Sequence, residues 1–396
     1  MRIGMILDSN FPPDPRVENE GIVLAKKGHD VFLFCLSYDK QSNEEEINSI
    51  KIRRYSSNKL EYKLSALVYT IPLYTFLMRK KIVDFILKNE IEALHIHDIR
   101  IAEAVFKANK KYKLPVVLDL HDNLPEVMKL YPHLQKFPGK YIISPKKWKR
   151  KEEEFIVKAD KVITVSQEFV KEVQKRTKEN PQKIVLVPNT IRTSFYRDAK
   201  IEKRIINNYK NDFVVLYLGD THLRRGLQTV ISSIKNLSQN IQNIKLVIVG
   251  SNTTDPILKQ QVKNLKIENY VDFEGWQDVS LFPSYIVASD VCISPLHRNK
   301  QHDVAYANKL FQYMSFAKPL LVSNATAQKK LIERINAGLV HKEKDINEFS
   351  EKMMELYNNS DLRNQLGENG EKFVKNEFSW DQTSKELLTL YDNLSH

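Results

Sequence analysis

At 396 residues the chain is too long for one ordinary hydrophobic core and suits two domains. Its 42% hydrophobic and 28% charged residues describe a globular chain and exclude a disordered one. The net charge of +12 is uneven: residues 1–200 carry 37 Lys and Arg against 26 Asp and Glu, whereas residues 201–396 carry 24 against 23. The first half therefore suits an acidic partner such as nucleic acid, anionic lipid or a phosphorylated acceptor.

Arg2–Leu7 reads as a first strand, and the N-terminus lacks the apolar core of a signal peptide. Helix Glu18–Lys27 follows and stops at Lys26-Lys27-Gly28, a basic last turn with glycine just beyond. Further strands are expected at Val31–Cys35, Ile50–Arg54, Ala93–Ile96, Val116–Leu120, Lys161–Val165 and Ile184–Val187. Helices are expected at Leu64–Asn89, Ile101–Tyr112, Lys146–Ala159 and Glu168–Thr177. Strands Phe213–Leu218, Lys245–Val249, Val271–Phe273, Val291–Ser294 and Pro319–Val322 repeat the scheme. Strands alternating with helices predict parallel, doubly wound sheets. The expected class is α/β, with two Rossmann-like domains and a boundary around 190–205. Cys35 and Cys292 lie in apolar runs and are expected in the core without a disulfide, which fits a reducing, cytoplasmic compartment.

Leu64–Met78 is the strongest apolar run, 15 residues with Pro72 inside and Arg79-Lys80-Lys81 after it. That is short of the roughly 20 residues of a membrane span, so it reads as a helix packed on the sheet or an interfacial helix with a basic collar. Lys146–Lys151 adds five cations around Trp148, a residue that suits a membrane interface. Together they predict peripheral attachment to the anionic inner face of a membrane.

Ligands of doubly wound sheets bind beyond the carboxyl ends of strands. Phe213–Leu218 is followed by Gly219, a tight exit, and by Arg224-Arg225-Gly226, whose guanidinium forks suit a diphosphate. Gly226 is expected to let the next helix begin close to the ligand. Val291–Ser294 is followed by a polar loop and by Asn308-Lys309 at a helix start, a natural anion site. Val116–Leu120 is followed by His121-Asp122-Asn123, and the first strand by a proline-rich loop from Asp8 to Arg16 that includes Asn10. No phosphate loop of the Walker type and no Gly-rich dinucleotide fingerprint occurs, which argues against ATPase and dehydrogenase functions. No carboxylate cluster with metal-ligand spacing stands near these cations, so no metal and no cofactor are expected; a nucleotide-sugar would be a substrate.

These residues resemble the retaining GT-B glycosyltransferases, specifically family four, over nearly the full chain. Asp14–Phe34, Leu118–Glu126, Lys158–Ser166, Val187–Ile191, Tyr217–Ile231, Asn308–Ser323 and Phe378–Tyr391 look like that family's segments in order. The resemblance implies a GT-B fold: two Rossmann-like domains facing a cleft, with a C-terminal helix crossing back to the N-terminal domain. The expected division is an acceptor-binding domain at 1–195, a nucleotide-sugar domain at 196–377 and the crossover helix at 378–396. It implies a retaining, metal-independent hexosyltransferase moving a sugar from a UDP- or GDP-sugar to a glycan or lipid-linked acceptor. Cell-surface polysaccharide assembly, of lipopolysaccharide or capsule, is the expected setting. His121, Arg225 and Lys309 are expected to be catalytic, and Gly219, Arg224, Asn308, Gln312 and Asn189 to hold the donor. Asn10, Arg16 and Asp122 are expected on the acceptor side.

Four positions depart from the family. Gln312 and Val304 stand in place of its two glutamates, Ala317 in place of a glycine, and Asp122 in place of a glutamate. A glutamine still accepts one hydrogen bond and donates another to a ribose, without the charge-assisted part. The alternatives are a catalytically weak scaffold subunit, which would bind a partner and not turn over donor, and a sugar-nucleotide epimerase, which would need no acceptor. A nucleic-acid binder would need an aromatic platform among the basic residues, and the sequence shows none.

Overall fold

The computed structural model describes residues 1–394 apart from 40, 132, 133, 135 and 138. The chain divides into two compact units, Met1–Pro188 with Thr383–His396, and Asn189–Gln382. The bounds read from sequence were 195 and 378.

The first unit holds strands β1 (Arg2–Ile6), β2 (Asp30–Ser37), β3 (Glu44–Ile47), β4 (Ile50–Ser56), β5 (Ala93–His97), β6 (Val116–Leu120), β7 (Lys161–Thr164) and β8 (Ile184–Leu186). They form one sheet in the order β3-β4-β2-β1-β5-β6-β7-β8. Every pairing is parallel except β3 with β4. The order reverses between β1 and β5, so the loops after those strands flank the crevice where doubly wound sheets bind ligands. The strand ALHIH of β5 is buried at every position, histidines included, because helices cover both faces of a parallel sheet.

The second unit holds β9 (Phe213–Leu218), β10 (Ile244–Val249), β11 (Val271–Gly275), β12 (Val291–Ser294), β13 (Leu320–Ser323) and β14 (Gly338–His341). Its all-parallel order is β11-β10-β9-β12-β13-β14, reversing between β9 and β12. Strand alternation divides the core cleanly. Phe213, Val215 and Tyr217 join one helix layer with Leu227, Val230 and Phe349. Val214, Leu216 and Leu218 join the other with Leu310, Tyr313 and Phe373. A period of two sends neighbours along a strand to opposite faces.

The tail crosses back as expected. Helix Lys385–Leu394 belongs to the first unit, where the Tyr391 hydroxyl lies 2.9 Å from His95 Nδ1 and Lys27 lies 3.3 Å from Asp392. The last two residues of the expected 378–396 segment lie outside the described residues.

Two expectations need correction. Leu64–Asn89 is not one helix: Lys59–Ser65 ends, turns follow, and Leu73–Lys88 starts after Pro72. Proline lacks the N–H that a helix interior requires and clashes with the preceding turn. Trp148 is not at the surface; it is 3% exposed and meets Tyr69 edge-on with centroids 4.7 Å apart. It lies on helix Pro145–Lys158, whose buried stripe is Trp148, Glu152, Phe155 and Ile156, the spacing of a core-facing helix. No described helix is long and apolar enough to cross a membrane. Cys35 and Cys292 are free and buried.

Candidate active site

In the second unit the chain leaves β9 through Gly219, whose φ of +108° is a conformation that favours glycine. A Cβ there would lie 3.5 Å from the Lys309 ammonium. That ammonium sits 3.5 Å from the centroid of the Tyr217 ring. Lys309 is 9% exposed and Nζ has no hydrogen-bond partner. Burial, with Arg225 adding to it, pushes its pKa well below the usual lysine range.

Arg224 and Arg225 lie on the short 3₁₀ turn Leu223–Arg225. Asp220 holds both: its Oδ2 accepts from Arg224 Nη2 at 3.1 Å and from Arg225 Nε at 3.2 Å. Its Oδ1 accepts from Asn252 Nδ2 at 2.7 Å and from the His222 N–H at 3.1 Å. Burial alone would raise the Asp220 pKa, but Arg225, the His222 N–H and Arg224 outweigh it and hold the carboxylate below its usual range. Three cations thus converge on the β9 exit with one carboxylate among them. Gly226, at φ +81°, is required for a reason other than the expected one: a Cβ would come within 1.8 Å of the Pro295 carbonyl oxygen. It fixes the loop after β12 against the turn.

Asn308 precedes helix Lys309–Met314 and makes no side-chain cap, and its Oδ1 is buried without a partner. The helix spans only 6 residues, so little dipole accumulates and the Lys309 side chain, not the helix end, supplies the positive charge. Gln312 is half-buried on that helix, three residues from Lys309 and on the adjoining face. Val304 is 9% exposed. Ala317 takes φ +53°, so the glycine typical there is replaced by a residue that carries the strain. Asn189 is half-buried at the start of the second unit.

The first unit builds a second polar cluster. His121 follows β6, with Nε2 2.9 Å from Asp119 Oδ2 and 3.0 Å from His97 Nδ1, and Nδ1 3.8 Å from Asp98. Its backbone N–H donates to Asp98 Oδ1 at 3.2 Å. Burial opposes protonation, but Asp119 and then Asp98 outweigh it, so the imidazole pKa rises to about 10. Asp122 is exposed beside it. Asn10 is half-buried, its Oδ1 buried and unpaired.

Arg16 does not face an acceptor. It is 4% exposed, and donates from Nε and Nη2 to Asp119 at 2.8 and 2.6 Å and from Nη1 to the Val187 carbonyl at 3.1 Å. A buried carboxylate requires such a partner, and Asp119 sits mid-sheet with 0% exposure. Glu20 lies 3.0 Å from the same guanidinium. Glu20, His95, His97 and Asp119 bring ligand-type atoms within 4.8 Å of one another. Arg16 already stands against both carboxylates, which removes the charge that would draw a cation.

Family models match the chain nearly end to end: glycosyl transferases group 1 over residues 198–373 and glycosyltransferase family 4 over residues 17–195. The chain belongs to the group 1 glycosyltransferases. Within this family it is similar to an uncharacterized glycosyltransferase of Methanocaldococcus jannaschii, 23% identical over 60% of this chain and 59% of that protein. It is also similar to the capsular polysaccharide biosynthesis glycosyltransferase CapM of Staphylococcus aureus, 23% identical over 49% of each chain. The chain thus matches 59% and 49% of the length of these two relatives. Among solved structures, sucrose-phosphate synthase from Thermosynechococcus elongatus superposes with a TM-score of 0.81 at 17% identity, covering 100% of this chain and 99% of that one. Anabaena HepE in complex with UDP superposes at 0.76 and 14% identity, covering 99% and 100%. These likenesses show the GT-B fold.

The family's sequence pattern pointed to His121, Arg225 and Lys309 but not to the residues that hold them. Asp220, Tyr217, Asp98 and Asp119 were missed. Asp119 interrupts the apolar strand VVLDL, and a lone carboxylate at a fully buried strand position was the available signal.

Proposed function

We propose that this chain is a retaining, metal-independent glycosyltransferase that moves a sugar from a UDP- or GDP-sugar to a glycan or lipid-linked acceptor in cell-surface polysaccharide assembly. One observation carries the proposal: the Lys309 ammonium is buried, lacks a hydrogen-bond acceptor and stands at the β9 exit beside Gly219. An uncompensated buried cation is costly unless a ligand completes it. The adjacent Arg224 and Arg225 set the ligand's charge as multiple negative, which suits a diphosphate.

During transfer the bond from the anomeric carbon to the diphosphate breaks and negative charge accumulates on the leaving oxygen. Arg225, Arg224 and Lys309 stabilise that charge more in the transition state than in the bound donor, the condition for rate acceleration. The acceptor hydroxyl oxygen forms the new bond to the anomeric carbon on the face the diphosphate leaves, and its proton passes to the leaving diphosphate oxygen. Gln312 and Asn308 are the proposed contacts of the nucleoside side, with Asn189. His121, held as an imidazolium by Asp119 and Asp98, is the proposed contact of the transferring sugar, and Asn10 and Asp122 of the acceptor. The capsular role in the name of CapM and the UDP bound to HepE support this substrate class.

The test is thermal stabilisation by UDP, GDP, CMP and ADP, followed by their sugar conjugates. A ligand at about 100 times its Kd stabilises by roughly 2.7 kcal/mol. A shift with UDP or GDP that vanishes in Arg225→Ala supports the proposal. A shift that survives Arg225→Ala unchanged removes the central assignment.

A further inference from the structure

The first unit leaves a large apolar surface uncovered. Among the described residues, eight of the 15 exposed large hydrophobics fall in two segments, Leu60–Phe76 and Phe137–Ile142. Phe137 is 84% exposed, Tyr141 77%, Phe76 52% and Leu73 46%. The segments adjoin: the Thr70 hydroxyl donates to the Ile142 carbonyl at 2.9 Å. Phe137 and Tyr141 lie with ring centroids 6.5 Å apart. Exposed apolar residues grouped in this way mark a docking face, whereas scattered ones do not.

The charge flanking this face is mainly positive; Glu61, at its edge, is paired with Lys81. The sequence holds no Asp or Glu from residue 62 to 83, with four cations, and none from 127 to 151, with eight. Lys63, Arg79, Lys80, Lys136, Lys140 and Lys146 are exposed, and none has a carboxylate within ion-pair distance among the described residues. Lys80 stands 4.6 Å from the Phe76 ring centroid and Lys140 5.9 Å from that of Tyr141, so the cations adjoin the aromatic patch itself. A protein partner with an apolar face would be met as well by neutral or mixed surroundings. A rim dominated by exposed, unpaired cations around aromatic and aliphatic side chains instead complements an anionic bilayer, where rings settle at the headgroup level and lysines reach phosphates.

We infer that the face presenting Ile71, Leu73, Phe76, Phe137, Tyr141 and Ile142 docks on an anionic lipid surface, with Phe76, Phe137 and Tyr141 inserting and Lys80 and Lys140 contacting headgroup phosphates. Phe76 lies in the apolar run read from the sequence, whereas Phe137 and Tyr141 take the place expected of Trp148, which is buried. Docking needs no sugar transfer, so this inference stands or falls apart from the donor site.

The experiment is co-sedimentation of the full chain with phosphatidylcholine vesicles, with and without phosphatidylglycerol, with no nucleotide-sugar present. The chain is expected to sediment with the phosphatidylglycerol vesicles and to be released by raised salt. Phe137→Ser with Tyr141→Ser is expected to weaken binding at least about tenfold. Lys80→Glu with Lys140→Glu, which leaves the rings in place, is expected to do the same through charge. All four side chains are exposed, and a matching melting temperature verifies that each variant folds. Absence of the wild type from the phosphatidylglycerol pellet overturns the inference, as does unchanged binding by the serine variant. A wild-type dimer in solution that the serine variant dissolves would assign the face to a second copy of the chain and also overturn it.

Discussion

Lys309 stands over the face of Tyr217 at 3.5 Å, and no hydrogen-bond acceptor meets its ammonium. A cation over an aromatic face is stabilised by roughly 0.5–2 kcal/mol, less than burial of an ammonium costs. The apo site is therefore strained electrostatically toward an anion. Lys309→Met fills similar volume without charge. It is expected to hold or raise the melting temperature of the free protein and to weaken nucleoside diphosphate binding about 10- to 100-fold, the loss of one charge-assisted hydrogen bond. Isothermal calorimetry with UDP and GDP measures this. Equal affinity in the variant would place the diphosphate elsewhere.

The same depressed lysine makes binding consume a proton. Burial and Arg225 lower the Lys309 pKa in the free protein. A diphosphate beside it raises the pKa again, so the protein takes up protons on binding. Titrations in buffers of different ionisation enthalpy should reveal this uptake at pH values around and above the lowered pKa. Lys309→Met should abolish it, and uptake that persists in the variant would assign the proton to another group.

Much of this was legible beforehand. The strands Val116–Leu120, Phe213–Leu218 and Val291–Ser294 were read to the residue, because parallel strands buried on both faces are continuous apolar runs. β3 escaped because EEEI is acidic and exposed, an edge strand whose pairing leaves no hydrophobic signal. Arg16 and Trp148 were misplaced for one reason: sequence shows that a residue is polar or amphipathic, not that a distant carboxylate or aromatic ring awaits it. Asp119 lies 103 positions from Arg16. The cations of the site follow strand ends and were found; Asp220, which positions two of them, reads in sequence as an ordinary loop acid.

Gln312 offers a gain-of-function test. Gln312→Glu restores a charged acceptor on the face adjoining Lys309. Nucleoside diphosphate binding is expected to tighten about fivefold, about 1 kcal/mol for the charge-assisted part of a ribose hydrogen bond. The gain should disappear with a 2′,3′-dideoxy nucleotide. A gain that survives without the ribose hydroxyls would show that residue 312 does not address them.

His121 predicts a pH dependence of stability. Its folded pKa, about 10, is raised above the ordinary 6.5 by Asp119 and Asp98 against the effect of burial. The folded state therefore holds a proton that the unfolded chain releases. The stabilisation is complete below pH 6.5 and is lost as pH rises through about 10. Arg16 also borders the site and acts against the proton, and His97 lies beside it with its Nδ1 3.0 Å from His121 Nε2. The melting temperature should fall between pH 7 and 10, and His121→Asn should flatten that fall. An equal slope in the variant would assign the titration elsewhere.

Arg16 separates a structural role from an acceptor-binding one. Its guanidinium bonds Asp119, stands against Glu20 and reaches the Val187 carbonyl at the end of the first unit's continuous chain. Arg16→Met leaves the Asp119 charge buried beside His97 and His121 with no guanidinium, and breaking such a group costs about 3–5 kcal/mol. The first unit is expected to melt at lower temperature, seen as an earlier calorimetric transition. UDP or GDP should still stabilise the second unit, whose cations do not depend on Arg16. In the milder Arg16→Lys the acceptor KM should stay near the wild-type value at a temperature where the variant is folded. A raised acceptor KM with unchanged melting would instead return Arg16 to the acceptor.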